Sequence, residues 1–176
     1  IQMTGLDALE TLTCKNNALT EVDLSALGSL MSLNITGNRL SHLDLSGNGA
    51  LQTLACSQNM LESIVHDGLP RLQSISCEGN RFETLPLDGL DALTALDCSD
   101  NRLTALAIDG HDALKTLDCS DNAITSLSLT NLGSLETVDI HRNNMTELTL
   151  ANLEHVYAVD CSANRLERLT LTNLPS

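Results

Sequence analysis

Leu9, Leu30, Leu51, Leu72, Leu93, Leu114, Leu135 and Val156 stand at an unbroken spacing of 21 residues, which constrains the fold of this 176-residue chain more than any other feature. A fixed period of that length marks a stack of equivalent units, none of which can bury its apolar face without a neighbour. Eight units fill residues 9–176 after a partial one over 1–8, so one solenoid domain over 1–176 is expected. Counted from the spaced residue, positions 1, 4, 6, 11, 14, 16 and 19 are apolar in every unit except at Asn48, His66 and His111.

Alternation over positions 3 to 7 is a period-2 strand signal, with positions 4 and 6 inward and 3, 5 and 7 outward. Stacked in register, these strands predict a parallel sheet on the concave side of a curved, β-rich solenoid. The second half of each unit repeats the alternation without helical periodicity. A short extended convex segment and little or no α-helix are therefore expected. A turn is expected at position 18, where Gly47, Gly68, Gly89, Gly110, Asn131, Asn152 and Asn173 stand, residues that tolerate positive φ.

Position 9 is asparagine in all eight units, from Asn17 to Asn164. Where the chain turns inward after the strand, backbone groups lose their ladder partners, and an inward amide can donate to one unit and accept from another. This predicts a structural amide ladder.

With these features in place, the chain resembles bacterial leucine-rich-repeat proteins with 21-residue units, as in Leu114-Lys115-Thr116-Leu117-Asp118-Cys119-Ser120-Asp121-Asn122. It is most similar to the cysteine-ladder members of the internalin family. The resemblance implies a leucine-rich-repeat horseshoe, a non-catalytic recognition role toward a protein or glycan, and a bacterial cell-surface or secreted location. The alternative is a spacer arm or targeting domain joined to a catalytic domain outside this chain. The chain departs from those relatives in its acidity and its two lysines, Lys15 and Lys115.

A net charge of -14 excludes the clustered cations by which nucleic acids and anionic membranes are bound. No apolar run approaches the ~18 residues of a membrane span, and Ile1–Gly5 lacks the basic and apolar parts of a signal peptide. Targeting information and end caps are expected outside this chain, which reads as part of a longer protein, monomeric as a repeat domain.

Cys14, Cys56, Cys77, Cys98, Cys119 and Cys161 all occupy position 6, with Ile35 and Ile140 in the same slot elsewhere. An interior row cannot surround a tetrahedral ion, and side chains of in-register parallel strands suit a disulfide torsion poorly. Six reduced, buried thiols are expected. The five histidines fall at five different positions, and no serine lies in a nucleophile elbow. No metal, no cofactor and no catalytic residue is expected. His66 stands at an otherwise apolar position, where a buried imidazole needs a partner; Asp67 is the candidate nearest in sequence.

One outward feature remains. Position 5 carries Thr13, Asn34, Ala55 and Ser76 in the first four units, then Asp97, Asp118, Asp139 and Asp160. At strand spacing, adjacent carboxylates repel by ~1 kcal/mol even in water, so folding is expected to gain nothing from the row. Glu78, Asp100 and Asp121 extend it, His141 and Arg142 stand beside it, and Tyr157 offers a stacking surface. These ten residues are the expected ligand-binding set on the concave face, suited to a cationic or hydroxyl-rich ligand.

Overall fold

A computed structural model describes residues 5–175; Ile1–Thr4 of the partial first unit and Ser176 lie outside the described residues. The chain is a parallel-strand solenoid of eight turns with no helix among the described residues, and none there is long and apolar enough to cross a membrane. Eight short strands form one parallel sheet: β1 (Thr11–Thr13), β2 (Ser32–Asn34), β4 (Thr53–Ala55), β6 (Ser74–Ser76), β7 (Ala95–Asp97), β8 (Thr116–Asp118), β10 (Thr137–Asp139) and β12 (Ala158–Asp160). Each residue pairs with the one 21 positions on, as in Leu96 with Leu117. Register thus follows the sequence period.

The second halves form two smaller parallel sheets, β3 (His42–Asp44) with β5 (Ser63–Val65), and β9 (Ser128–Thr130) with β11 (Glu147–Ala151) and β13 (Arg168–Thr172). The first of these stops after β5. Pro86, which has no N–H to donate, stands where the following strand would pair back with β5.

The apolar positions converge on one continuous core of Leu, Ile and Cys with Phe82 fully enclosed. Its ends are open. Val159 is 37% exposed, Leu169 49% and Leu171 56%, because no repeat covers their outer side among the described residues. Openness also corrects the expectation of six buried thiols. Cys56, Cys77, Cys98 and Cys119 are fully enclosed, but Cys14 and Cys161, in the first and last complete repeats, are only partly covered. All six are free. Desolvation pushes the Cys56 and Cys119 thiols up to about 12 and raises Cys77 and Cys98 well above the ordinary thiol range.

The amide ladder follows one scheme from Asn38 to Asn164. Asn122 is typical: its Nδ2 donates to the carbonyls of Cys98 at 3.0 Å, Cys119 at 3.2 Å and Ser120 at 3.0 Å, while its Oδ1 accepts the Leu103 N–H at 2.9 Å. Each asparagine therefore both donates to and accepts from the same preceding repeat while closing its own turn. The amide thus donates within its own repeat and accepts from another, as expected, and in addition donates to the repeat it accepts from.

The three polar departures are packing solutions. Asn48 and His111, both at position 19, are buried and donate to the position-16 carbonyl of the repeat before, Leu24 at 3.2 Å and Leu87 at 3.2 Å. Asn48 Oδ1 and His111 Nδ1 have no partner. His66 is half-buried and does not use Asp67. Its Nδ1 accepts the Gly68 N–H at 3.2 Å, so the proton sits on Nε2, which faces the Pro86 carbonyl at 3.4 Å.

Two outcomes test this packing. Thiol titration of the native chain confines any reaction to Cys14 and Cys161, with the four core thiols appearing only on denaturation; rapid labelling of Cys77 or Cys98 contradicts the row. Asn122→Ala lowers unfolding stability by about 1–3 kcal/mol, the cost of stranding buried backbone groups, as read by denaturant melts.

Candidate functional site: an acidic groove over the long sheet

The outward positions of β6, β7, β8, β10 and β12 line a groove of about 650 Å3. Its surface is made by small and hydroxyl side chains at position 3, among them Thr116 and Thr137, together with the position-5 residues Ser76, Asp97, Asp118, Asp139 and Asp160. In-register pairing places Ser76, Asp97, Asp118, Asp139 and Asp160 on successive strands. Tyr157, 76% exposed, stands at the last-repeat end. Five of the ten expected residues therefore share the groove: Asp97, Asp118, Asp139, Asp160 and Tyr157. Glu78, Asp100, Asp121, His141 and Arg142 do not line it; they sit at positions 7 and 8, in the turns that follow the strands.

Those turns overturn the expectation that folding gains nothing from the aspartate row. Asp118 Oδ1 accepts the Ser120 N–H at 3.0 Å and its hydroxyl at 2.6 Å; Asp97 makes the same pair with Ser99 at 3.1 and 2.7 Å. Asp139 accepts the His141 N–H at 3.0 Å, and Asp160 that of Ser162 at 2.8 Å. Each aspartate closes a local Asx turn, a side chain doing the work of a turn's backbone acceptor. Hydrogen bonds from the Ser162 hydroxyl and N–H lower the pKa of Asp160. Asp23 and Asp44, in the second halves of their repeats, hold Ser25 and Ser46 in the same way. The Asp-x-Ser spacing carried this signal in the sequence.

Position 8 is left-handed in every repeat, from Asn16 at φ 57° to Ala163 at 53°, through Gly37, Gln58, Gly79, Asp100, Asp121 and Arg142. Only two of these eight are glycine. The turn is imposed by the strand before it and the amide after it, which outweigh the ~1–2 kcal/mol that an L-residue spends there. It sets Asp100 and Asp121 outward beside the groove's rim, at intermediate to full exposure.

Electrostatic strain shows at two places on the rim. The neighbouring Asp97 carboxyl raises the pKa of Glu78, first through a shared hydrogen bond, with partial desolvation next. His141 lies between carboxylates: Nδ1 is 2.7 Å from Asp139 and Nε2 3.2 Å from Asp121, which Arg142 also approaches at 3.4 Å. One ligand-type atom each from Asp139, His141 and Asp160 falls within 4.8 Å of the others. Both ring nitrogens are already engaged by carboxylate oxygens, so the group is held as an ion cluster. Sequence position alone had set the five histidines apart. The signal for this one was register, since position 7 of one repeat abuts position 8 of the last.

The repeat, the amide ladder and the parallel sheets define a leucine-rich-repeat solenoid. A family model described as Leucine Rich Repeat matches residues 113–135. Two solved structures share the architecture. The functional domain of InlJ from Listeria monocytogenes, which includes a cysteine ladder, is 22% identical with a TM-score of 0.67 over 94% of this chain and 54% of that one. The APL1 leucine-rich repeat domain is 22% identical with a TM-score of 0.81 over 94% of this chain and 47% of that one. The chain thus spans about half the length of either structure. No curated protein matches it. The matched family model is that of a repeat unit, and both structures share the solenoid fold.

The turn chemistry yields a paired outcome for Asp118. Asp118→Asn keeps an Oδ1 acceptor, as Asn34 does for the Thr36 N–H at 3.2 Å, and relieves repulsion, so thermal unfolding is unchanged within about 0.5 kcal/mol. Asp118→Ala loses the turn bond and costs about 1 kcal/mol. Equal effects from the two substitutions contradict a turn-closing carboxylate.

Proposed function

We propose that this chain is a non-catalytic, monomeric recognition module that binds a protein partner through the groove over the long sheet, the partner presenting lysine or arginine side chains to Asp97, Asp118, Asp139 and Asp160. The observation that carries the reading is the register: four carboxylates on adjacent strands converge on one groove whose surface is otherwise neutral and small. Asn34 closes the same turn as a neutral amide, so the turn does not call for the charge. Clefts lined by one sign of charge focus the field and speed the approach of an opposite charge. Location on a bacterial surface, or secretion, belongs to the same proposal and is supported by the resemblance to the cysteine-ladder internalins.

A glycan is the second reading, favoured by one observation. Tyr157 is a largely exposed ring at the end of a groove lined with hydroxyl and carboxylate groups, and such a surface suits a sugar face with hydrogen bonds around it.

Decalysine is the test probe. It binds the parent, binds the Asp118→Asn/Asp139→Asn double variant more weakly, and loses affinity for the parent as salt rises, because screening acts over ~8–10 Å at ordinary ionic strength. Calorimetry at two salt concentrations reads all three. Equal affinity for parent and double variant overturns the cationic-partner reading. Tyr157-dependent, salt-insensitive binding to neutral oligosaccharides in its place supports the second.

A further inference from the structure

Position 7 of the last four repeats carries Ser99, Ser120, His141 and Ser162. Ser99 and Ser120 set a hydroxyl on the aspartate two residues earlier, and His141 sets Nδ1 on Asp139 in the same manner at 2.7 Å. An imidazole has a second nitrogen where serine has nothing. His141 Nε2 lies 3.2 Å from Oδ2 of Asp121, which belongs to the preceding repeat.

Both ring nitrogens therefore face carboxylate oxygens, which can only accept. A neutral imidazole owns one N–H and one lone pair, so it can satisfy one carboxylate while turning a lone pair on the other. Imidazolium donates to both. Asp160 of the following repeat adds a third negative charge felt by the ring, and the cation beside the cluster is Arg142, whose Nη1 is 3.4 Å from Asp121 Oδ1.

We propose that His141 is a proton-operated clasp between the turns of two successive repeats at the rim of the groove: protonated, it ties Asp121 to Asp139; deprotonated, it keeps Asp139 and releases Asp121. The shorter Nδ1 contact, reinforced by the His141 N–H to the same Oδ1 at 3.0 Å, decides which carboxylate is kept. The hydrogen bond to Asp139 raises the pKa of His141 above the usual imidazole value, partial desolvation opposes this, and the charges of Asp139, Asp121 and Asp160 add to it. A raised folded pKa means the clasp stabilises the fold fully below the ordinary imidazole value and is lost as pH climbs through the raised one. Opening also adds one net negative charge beside the aspartate row. The clasp stands on its own geometry; only its effect on a cationic partner rests on the groove-binding reading.

Three measurements test it, using His141→Ser, which restores the residue found in three neighbouring repeats and keeps the fold. By NMR, the His141 ring titrates with a midpoint that falls in Asp121→Asn, and its neutral form carries the proton on Nδ1. In thermal unfolding, the parent exceeds His141→Ser at about pH 6 and the difference vanishes at about pH 9. Decalysine affinity of the parent rises about two- to threefold from pH 6 to pH 9, the effect of one unit charge ~7 Å away in water, while that of His141→Ser stays flat. A midpoint unmoved by Asp121→Asn, or an unfolding difference independent of pH, overturns the clasp. Ring titration and unfolding as expected with no decalysine binding at either pH support the clasp and count against groove binding.

Discussion

The side-chain amide at position 9 is the interaction on which the rest of this molecule depends. In the long sheet, strand ladders join one repeat to the next along three-residue stretches, and the chain must then turn toward the core with some of its N–H and C=O groups still to be paired. Asn122 and its equivalents pair them, reaching the position-6 carbonyl and the position-11 N–H of the preceding repeat in a single fixed geometry. A slip of one residue would strand those buried groups and invert every side chain of the strand. The amide therefore locks register. Locked register aligns the thiols inward and, two residues before each turn, the aspartates outward.

That alignment lets one residue type serve two ends. Asp97, Asp118, Asp139 and Asp160 each close a turn with the N–H two residues on, so the row is held by local bonds that offset its mutual repulsion. Asp23 and Asp44 show the same device outside the long sheet. Turn closure thus accounts for an oxygen at position 5 but not for its charge, since Asn34 supplies a neutral one. The charge is the part of the pattern left for recognition to explain.

The fold was legible because its determinants repeat. Period, strand face, position-18 turns and amide ladder could all be read from which residue types recur at a fixed offset, and the positive φ at Gly47 through Asn173 follows that reading. Position 8 was hidden because its occupants, Gln58, Arg142 and Ala163 among them, are not residues that favour a left-handed backbone. Its conformation is imposed by neighbours on both sides. The candidate site was legible as a face but not as a set of bonds. Asp67 was the nearest partner for His66 along the chain, yet the turn directs the ring to the Gly68 N–H and across to Pro86. The exposure of Cys14 and Cys161 was missed for another reason: a repeat pattern describes every unit as though it were an interior one.

A solenoid separates what folds from what recognises more cleanly than a globular domain can. Positions 3 and 5 point away from the core, so the first four repeats can present Thr13, Asn34, Ala55 and Ser76 while the last four present aspartate, with the inward residues scarcely changed. Charge is then free to accumulate until repulsion limits it. The limit is visible on the rim, where Glu78 is pressed toward protonation by Asp97 and where a histidine replaces the usual serine. His141 sits where the negative charges of three repeats meet, Asp121, Asp139 and Asp160. A serine there could close the turn and do nothing about the field, whereas an imidazolium does both, closing the turn on Asp139 and setting a positive charge against Asp121.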